Sequence, residues 1–181
     1  GIEPGQVNAR HLGFGLGPRM NAAGRLETAQ YALDMLVACD GLAALEASEK
    51  LEELNTKRRS IQDAIFEEAC QQAEELADDH VLVVSSSGWN HGVIGIVASK
   101  LVEKYKKPVF IIGERGEEAT GSARSFGDFS AADAVRAADD IIIKGGGHGA
   151  AAGVTLETKK IADFRQRVNG FSDSLQLTNQ E

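Results

Sequence analysis

The sequence of 181 residues has few residues of the kinds that mark a membrane protein or a disulfide-stabilised one. No apolar run approaches the ~20 residues that span a bilayer, and residues 1–25 lack the continuous apolar segment of a signal peptide. The 2 cysteines, Cys39 and Cys70, have neither a close partner nor metal-site spacing. We interpret both as buried, reduced thiols of a cytoplasmic protein that does not associate with membranes.

Histidine is equally scarce, since the chain contains only 4, at positions 11, 80, 91 and 148. No cluster of aspartates and histidines has the spacing of a two-metal site, and no nucleophile lies beside a base in a familiar pattern. Asp78-Asp79-His80 comes nearest, but it lies at a predicted helix-to-strand junction, where acidic residues are common. The sequence therefore predicts no metal site and no complete catalytic centre in this chain.

The net charge of −8 argues against a free-standing nucleic-acid binder. All of the acidic excess lies in residues 1–80, which carry 7 basic and 15 acidic side chains, whereas residues 81–181 carry 12 of each. A neutral surface with a few placed cations can still bind a nucleic acid with modest salt dependence. The charge distribution thus leaves a nucleic-acid ligand open for the second half.

The hydrophobic pattern changes its period near the middle of the chain. Residues 27–79 are helical, with a break at Asp40-Gly41 and then a long amphipathic helix, which is either a solvated helix or an arm between two domains. From His80 onward, a strand over 80–85, a helix over 93–104 and a strand over 108–112 predict a βαβ unit with two parallel strands. Further strands are predicted at 119–125 and 152–156, further helices at 131–138 and 159–168, and a frayed polar end at 172–181.

Residues 145–153 read Gly-Gly-Gly-His-Gly-Ala-Ala-Ala-Gly and are the most informative stretch. Consecutive glycines are costly to order, and here they follow the apolar run 141–143. We expect a loop in which Gly145, Gly146 and Gly147 expose backbone N–H groups to a phosphate. His148 adds a donor that can carry charge.

Two other segments are candidates for the same pocket. Gly121-Ser122-Ala123-Arg124-Ser125 surrounds one guanidinium with small residues, and a guanidinium is well shaped for bidentate phosphate contact. The turn over 87–95 places Trp89 to stack on a base and His91 to donate to a phosphate. The alternatives are a surface ion pair for Arg124, and a capped turn with a hydrogen-bonded histidine for the second segment.

Four motifs in order carry a resemblance to a known family. They are Gly17-Pro18-Arg19-Met20-Asn21-Ala22-Ala23-Gly24-Arg25-Leu26, Trp89-Asn90-His91-Gly92-Val93-Ile94-Gly95-Ile96-Val97-Ala98, Gly121-Ser122-Ala123-Arg124-Ser125 and Gly145-Gly146-Gly147-His148. Together, over residues 8–171, they closely resemble the RecJ family of single-strand-specific DNA exonucleases in the DHH phosphoesterase superfamily. The last two motifs are shared across the superfamily, whereas the first is far more particular to RecJ.

The resemblance implies a mixed, partly parallel α/β sheet with flanking helices, the DHH-associated domain, preceded by a helical segment with a long connecting helix. It divides the chain into the C-terminal part of a DHH domain (1–41), the connecting helix (42–79), the DHH-associated domain (80–171) and a polar tail (172–181). Since the chain lacks an initiator Met and the metal-ligating motif of that family, we expect a fragment that binds no metal itself.

The implied function is that of the substrate-binding half of a 5′-to-3′ exonuclease for single-stranded DNA, active in DNA repair and recombination. Mn²⁺ or Mg²⁺ would be held by the missing N-terminal domain of the full-length enzyme, and the partners would be 5′-phosphorylated single-stranded DNA and other repair proteins. The resemblance implies that Asn21 and Arg25 border the active-site cleft. The substrate would contact residues from three segments, namely Trp89, His91, Arg124, Ser125, Gly145, Gly146, Gly147 and His148.

The same motifs are also consistent with two alternative functions. One is an oligoribonuclease or a cyclic-dinucleotide phosphodiesterase of the superfamily, whose members do not typically carry residues 17–26 in this form. The other is a non-catalytic RNA-binding module like the related domain of alanyl-tRNA synthetases. The substrate length profile distinguishes the first alternative, and the relative affinity for tRNA and single-stranded DNA distinguishes the second.

Overall fold

A computed structural model describes residues 3–178, which form two compact units with a boundary between Ile61 and Gln62. The first unit is helical. A 3₁₀ turn at Pro4–Gln6 and a π-helical segment at His11–Leu16 precede three helices: α1 (Gly17–Leu26), α2 (Gln30–Val37) and α3 (Gly41–Glu75). The core of this unit is small and consists of Ala22, Ala23, Ala32, Leu51 and Leu54.

Helix α3 confirms the predicted long helix. The Asp40 side chain caps its start, because Oδ1 accepts hydrogen bonds from the N–H groups of Leu42 (3.0 Å) and Ala43 (2.8 Å). The helix ends at Glu75, before the predicted limit at residue 79, and turns follow it. It runs through the boundary between the units, so its last turns belong to the second unit. Within residues 3–178, no helix is long and apolar enough to cross a membrane.

The second unit contains one mixed sheet of five strands in the order β1-β2-β3-β5-β4. Strands β1 and β2 are parallel and the other neighbouring pairs are antiparallel, which confirms the predicted βαβ unit and the mixed α/β class. The elements follow in the order β1 (Leu82–Ser87), α4 (His91–Tyr105), β2 (Val109–Arg115), β3 (Glu118–Arg124), α5 (Ala131–Arg136), β4 (Ile142–His148), β5 (Ala151–Glu157), a 3₁₀ turn (Thr158–Lys160) and α6 (Ile161–Thr178).

The two faces of this sheet differ in what covers them. One face packs against α5 and α6 and forms the main apolar core, in which Phe110 and Phe164 meet edge to face with ring centroids 5.1 Å apart. Helix α4 packs against β2 and β3. Along β3, Ala119, Gly121 and Ala123 are buried. Thr120, Ser122 and Arg124 on the other face are half-buried, as expected for a strand whose two faces meet different surroundings.

Side-chain amides cover the outer edge at β1 in place of a further strand. The Gln72 amide donates to the Ser85 carbonyl (2.9 Å) and accepts from the Ser85 N–H (3.0 Å). Asn169 does the same at Val81, with distances of 3.0 and 2.9 Å. Strand β4 forms the opposite edge of the sheet, and its residues 143–148 are exposed.

The C-terminal helix corrects the prediction of a frayed polar tail over 172–181. Helix α6 continues to Thr178, and Ser172 is buried within it. Phe171 and Leu175 lie four residues apart, hence on one helical face, and both pack against the main core. This apolar pair extends the helix beyond the predicted boundary; residues 179–181 lie outside the described part of the chain.

An ion pair between Asp79, just before β1, and Arg165 of α6 predicts that acid lowers the stability of the second unit. Arg165 donates to both carboxylate oxygens of Asp79 at 2.5 and 2.8 Å. These hydrogen bonds, helped by the charges of Arg165 and Lys107 and opposed by burial, hold the pKa of Asp79 below its ordinary value of 3.8. The stabilisation is therefore complete above that value and is lost as the pH falls below it through the pKa of the folded state.

We accordingly expect Asp79→Asn to be less stable than the parent at neutral pH and to show a smaller further loss on acidification. Chemical denaturation at a series of pH values, followed by the fluorescence of Trp89, measures both quantities. Parallel stability curves for parent and variant across the acid range would contradict this assignment.

Candidate functional site

The glycine triplet is part of a strand, which corrects the prediction of a phosphate-binding loop. Gly145, Gly146 and Gly147 lie in β4 and pair with Val154, Gly153 and Ala152 of β5. Glycine disfavours strands, but here the packing demands it at two positions. A Cβ at position 145 would lie 2.5 Å from Val135 Cγ1, and one at position 147 would lie 2.6 Å from Ala152 Cα.

Strand pairing places Arg124 and His148 on the same face of the sheet. Arg124 of β3 pairs with Ala151 of β5, and Ala151 also pairs with His148 of β4. Residues directly opposite each other in antiparallel strands point to the same side, and neighbouring strands lie about 4.8 Å apart. The two cationic or potentially cationic side chains therefore flank a single alanine.

The next row of the same face carries almost no side chains. Ser122, Gly153 and Gly146 pair across β3, β5 and β4, and both glycines are exposed. A Cβ at Gly146 would meet no atom within 4 Å. We call this surface the glycine face: Ser122, Arg124, Gly146, His148, Ala151 and Gly153. It presents bare backbone between polar side chains, which is a surface that an anion can approach closely.

The backbone N–H groups of the triplet are not all used within the sheet. Strand β4 is an edge strand, and in an antiparallel pair alternate residues direct their N–H and C=O groups away from the partner strand. Some amides of residues 145–147 therefore bond to β5, and the alternate ones point outward at the sheet edge. Some of the backbone N–H groups that the sequence predicts as phosphate donors are therefore available to a ligand, although the segment is a strand and not a loop.

The Arg124 guanidinium is held against the glycine face by close neighbours. Its Nη1 donates to Ser122 Oγ at 3.1 Å and to the Ala123 carbonyl at 2.7 Å. Gly95 of α4 allows this position, since a Cβ there would lie 3.1 Å from Arg124 Nη2 and 3.1 Å from Ser122 Oγ. A larger residue at position 95 would push the guanidinium away.

Ser125 lies at the end of β3 and fixes the β4–β5 turn. Its hydroxyl donates to the Gly149 carbonyl and accepts from the Ala131 N–H at 3.1 Å, and its own N–H donates to the Ala150 carbonyl at 3.0 Å. Gly149 and Ala150 form the turn directly after His148. The contacts of Ser125 therefore support the position of His148.

Trp89 is buried, with 4% of its surface exposed. Its indole N–H donates to Glu68 Oε2 of α3 at 2.7 Å. A base cannot stack on a ring that packing already covers, so this placement gives Trp89 a structural role and argues against the predicted stacking contact.

His91 begins α4, and its ring lies over Gly113, where a Cβ would be 3.0 Å from the imidazole Nε2. Burial and, to a lesser degree, the charge of Arg115 lower the pKa of His91, while the Gly113 backbone acts in the opposite direction. Burial therefore favours the neutral form of the imidazole. Its Nε2 is buried and has no hydrogen-bond partner among residues 3–178.

The backbone under His91 and the backbone of Arg124 lie at opposite ends of β3, although the Arg124 guanidinium reaches back to Gly95, one turn along α4 from His91. Gly113, beneath His91, pairs with Thr120, and Thr120 is four residues from Arg124 along β3. At about 3.3 Å per residue, this is roughly 13 Å along the strand. The turn after β1 lies at the carboxyl end of the parallel strands as predicted, whereas Arg124 and His148 lie at the other end, because β3 runs antiparallel to β2.

Asn21 and Arg25 belong to the first unit, where both are exposed and lie four residues apart on α1. They are therefore on the same face of that helix. Among residues 3–178, no group of three or more histidine, cysteine, aspartate or glutamate side chains could hold a metal ion. The described residues do not fit a metal centre.

Comparison with known families decides the affiliation of the second unit. Residues 78–173, slightly more than half of the chain, match the family described as the DHHA1 domain. The chain belongs to the DHHA1 domain family. The glycine face lies entirely within the matched residues.

Curated relatives of this DHHA1 chain carry one description, single-stranded-DNA-specific exonuclease RecJ. The Bacillus subtilis protein is 37% identical over 96% of this chain, and the Salmonella typhimurium protein is 38% identical over 91%. The matched region is 22% and 30% of those two proteins, so the chain spans less than a third of their length. The sequence resemblance to RecJ is thereby confirmed.

Two solved RecJ structures have the same fold as this chain over most of its length. RecJ from Thermus thermophilus in complex with Mn²⁺ is 31% identical, with a TM-score of 0.86 over 92% of this chain and 25% of that one. The complex of the same protein with Mg²⁺ gives a TM-score of 0.84 over 92% of this chain and 26% of that one, again at 31% identity. The arrangement of a long early helix followed by the mixed sheet is therefore that of RecJ.

Sequence reasoning missed three members of the glycine face in this DHHA1 domain, namely Ser122, Ala151 and Gly153. Ser122 was interpreted only as a small neighbour of Arg124, and Gly153 only as the end of the glycine-rich stretch. Ser122 lies two residues before Arg124 in β3, and Gly153 lies two residues after Ala151 in β5. A period of two would have selected them once residues 145–148 were assigned to a strand.

Proposed function

We propose that this chain supplies the substrate-binding half of a metal-dependent 5′-to-3′ exonuclease for single-stranded DNA, a cytoplasmic enzyme of DNA repair and recombination. The shared description of the RecJ relatives supports the substrate class. We further propose that the chain is inactive without a metal-binding domain, since its described residues offer no metal site. Mn²⁺ or Mg²⁺, the ions in the solved RecJ structures, are assigned to that other domain.

The observation that carries the proposal is the row Arg124–Ala151–His148 beside the bare glycines at 146 and 153. A guanidinium and an imidazole at about two strand spacings bracket an area without side chains. That area is open to a phosphate group, which the guanidinium can hold through charge-assisted hydrogen bonds. We infer that the glycine face binds the terminal 5′-phosphate of the strand.

In this scheme the chain contributes positioning. Arg124 and His148 orient the phosphate, and backbone N–H groups of the triplet complete its hydrogen bonds. Holding a substrate in one geometry lowers the entropy cost of the chemical step, which is how a domain without reactive groups raises a rate. Ser125 acts through the turn it supports and has no direct contact with the substrate.

We also propose that residues 1–41 are the C-terminal part of a DHH domain, in which Asn21 and Arg25 border the active-site cleft. Extensive exposed apolar surface supports this assignment, because surfaces of that kind usually pack against another protein surface. The strongly exposed large apolar side chains of the first unit are Val7, Leu12, Phe14, Leu16, Leu33, Leu36, Val37, Leu42 and Leu45.

Substitution of the two flanking side chains tests the proposal. We expect Arg124→Ala and His148→Ala each to weaken binding of a 5′-phosphorylated single-stranded oligonucleotide by about 1–3 kcal/mol, the size of a hydrogen bond to a charged group. Fluorescence anisotropy with a labelled oligonucleotide measures the affinities. Arg136→Ala, an exposed arginine on α5, is the matched control and should bind like the parent.

The same assay separates the alternatives. Unchanged affinity in both glycine-face variants refutes the phosphate assignment. Tighter binding of tRNA than of single-stranded DNA supports the RNA-binding module instead. Preference for cyclic dinucleotides or very short oligoribonucleotides supports the alternative of an oligoribonuclease or a cyclic-dinucleotide phosphodiesterase. Binding to other repair proteins needs a separate screen, because the oligonucleotide assay reports only on nucleic-acid ligands.

A further inference from the structure

An exposed aromatic ring lies just beyond the glycine face. Phe126 is 43% exposed, although aromatic side chains of its size are usually buried. Most other strongly exposed large apolar side chains belong to the first unit; in the second unit Ile143 is a further example. The exposure of Phe126 leaves part of an aromatic ring available to a ligand.

The backbone around Phe126 is fixed in place. Ser125, the preceding residue, is bonded through its N–H and its hydroxyl to the β4–β5 turn. The Phe126 carbonyl accepts a hydrogen bond from the Phe129 N–H at 3.4 Å. Phe126 is two residues after Arg124, and a chain of that length spans at most about 7 Å. The Phe126 backbone therefore lies close to the Arg124 backbone, directly after the end of β3.

Two concave surfaces meet at this ring. One is shallow and is formed by residues 125–130 with Gly149 and Ala150, next to His148. The other is lined by Lys106, Lys107, Phe129 and Leu175 as well as by Phe126. Phe126 borders both surfaces, so it lies between the β4–β5 turn and the two lysines.

The second concave surface carries positive charge at its rim. Lys106 is exposed, and Lys107 Nζ is held by the carbonyls of Ala77 and Asp79 at 2.6 and 2.7 Å. The Lys107 ammonium also interacts with the Asp79 carboxylate, and Asp128 lines the same surface, so the exposed Lys106 carries the positive charge that is most open to a ligand. An aromatic ring beside lysines is the combination on which single-stranded nucleic acids stack their bases and place their phosphates.

We propose that Phe126 is a stacking platform for a nucleobase of the strand whose 5′-phosphate lies on the glycine face, and that the strand continues toward Lys106 and Lys107. This inference rests on the proposed function, because it places the next nucleotides relative to the phosphate bound at Arg124 and His148. It assigns to the DHHA1 domain an aromatic subsite in addition to the phosphate contact.

A length series of ligands tests the subsite separately from the phosphate contact. The probes are thymidine 5′-monophosphate and 5′-phosphorylated oligothymidylates of increasing length, each titrated into the 181-residue chain. Phe126→Ala is expected to weaken binding of the longer oligonucleotides by roughly 5- to 100-fold, the range for loss of one base stack, and to leave the mononucleotide unchanged. Arg124→Ala should weaken both classes, and Ile143→Ala, another exposed apolar side chain of this unit, should weaken neither.

Two further measurements identify stacking as the cause. An oligonucleotide that lacks its bases near the 5′ end should bind the parent and Phe126→Ala equally. Phe126→Trp should retain affinity and show quenched emission on binding, above the constant signal of the buried Trp89.

Each outcome has one meaning. Normal oligonucleotide binding by Phe126→Ala, together with weak binding by Arg124→Ala, overturns the subsite and leaves the proposed function standing. Equal weakening of mononucleotide and oligonucleotide by Phe126→Ala overturns the subsite as well, because the ring then acts through the turn. If neither the parent nor Arg124→Ala binds in a way that depends on the 5′-phosphate, the aromatic subsite and the proposed function are both overturned.

Discussion

Replacing Gly147 with alanine is expected to lower the free energy of unfolding of the second unit by about 2–4 kcal/mol. Gly147 has a φ of +154°, which L-residues rarely adopt, and a Cβ there would overlap the Ala151 carbonyl and Ala152 Cα. The overlap falls on backbone, so no side-chain rotation relieves it. Urea denaturation followed by Trp89, the single tryptophan of the chain, measures the loss.

Gly146→Ala is the matched control for that variant. Its Cβ would meet nothing within 4 Å, so we expect stability equal to the parent or slightly above it, since alanine loses less backbone entropy than glycine. The added methyl group would stand on the glycine face and should weaken oligonucleotide binding without unfolding the domain. Equal stability of the two variants would show that the β4–β5 hairpin tolerates a side chain at position 147.

Truncating Phe164 to alanine is expected to cost about 3–5 kcal/mol, the range for removal of a buried aromatic side chain. Phe164 is fully buried on α6 and meets Phe110 of β2 edge to face. The lost contacts join the helix to the centre of the sheet, so the cavity cannot close without moving α6. Calorimetry and urea denaturation give the size of the effect.

The exposed Phe126 provides the comparison for Phe164. Phe126→Ala should change the unfolding free energy by only about 0.5 kcal/mol, because surface substitutions remove little packing. A small effect at Phe164 would mean that α6 contributes little to the core, contrary to its burial. A large effect at Phe126 would assign that ring to the fold and remove it from the ligand-binding surface.

Most elements of the fold were predictable because their hydrophobic period is clear. The strand before α4 and the one after it are continuous apolar runs, and both were placed correctly as a parallel pair. The helix that begins after Asp40 was also predictable from its cap and its period. Strand β4 was missed, because Lys144 and three glycines carry no apolar alternation and glycine has a low strand propensity.

The candidate site was predictable as a set of residues and only partly as an arrangement. Arg124 and His148 lie on one face because of the register in which β3, β5 and β4 pair. That register involves β4, a strand that the sequence pattern does not show. The burial of Trp89 depends on Glu68, which lies 21 residues earlier on α3 and accepts its N–H. Contacts over such separations are set by packing of the whole unit, and local patterns do not encode them.

The contacts of the Arg124 guanidinium lower the entropy cost of the phosphate binding that we propose. Ser122 Oγ and the Ala123 carbonyl already restrict the rotation of this side chain before any ligand arrives. Freezing a long, mobile side chain on association usually costs about 0.5–1.5 kcal/mol, and here most of that loss has occurred during folding. In the proposed phosphate site, a lysine at position 124 would keep the charge yet forfeit this advantage, so we expect the shape of the cation to contribute to affinity as well as its sign.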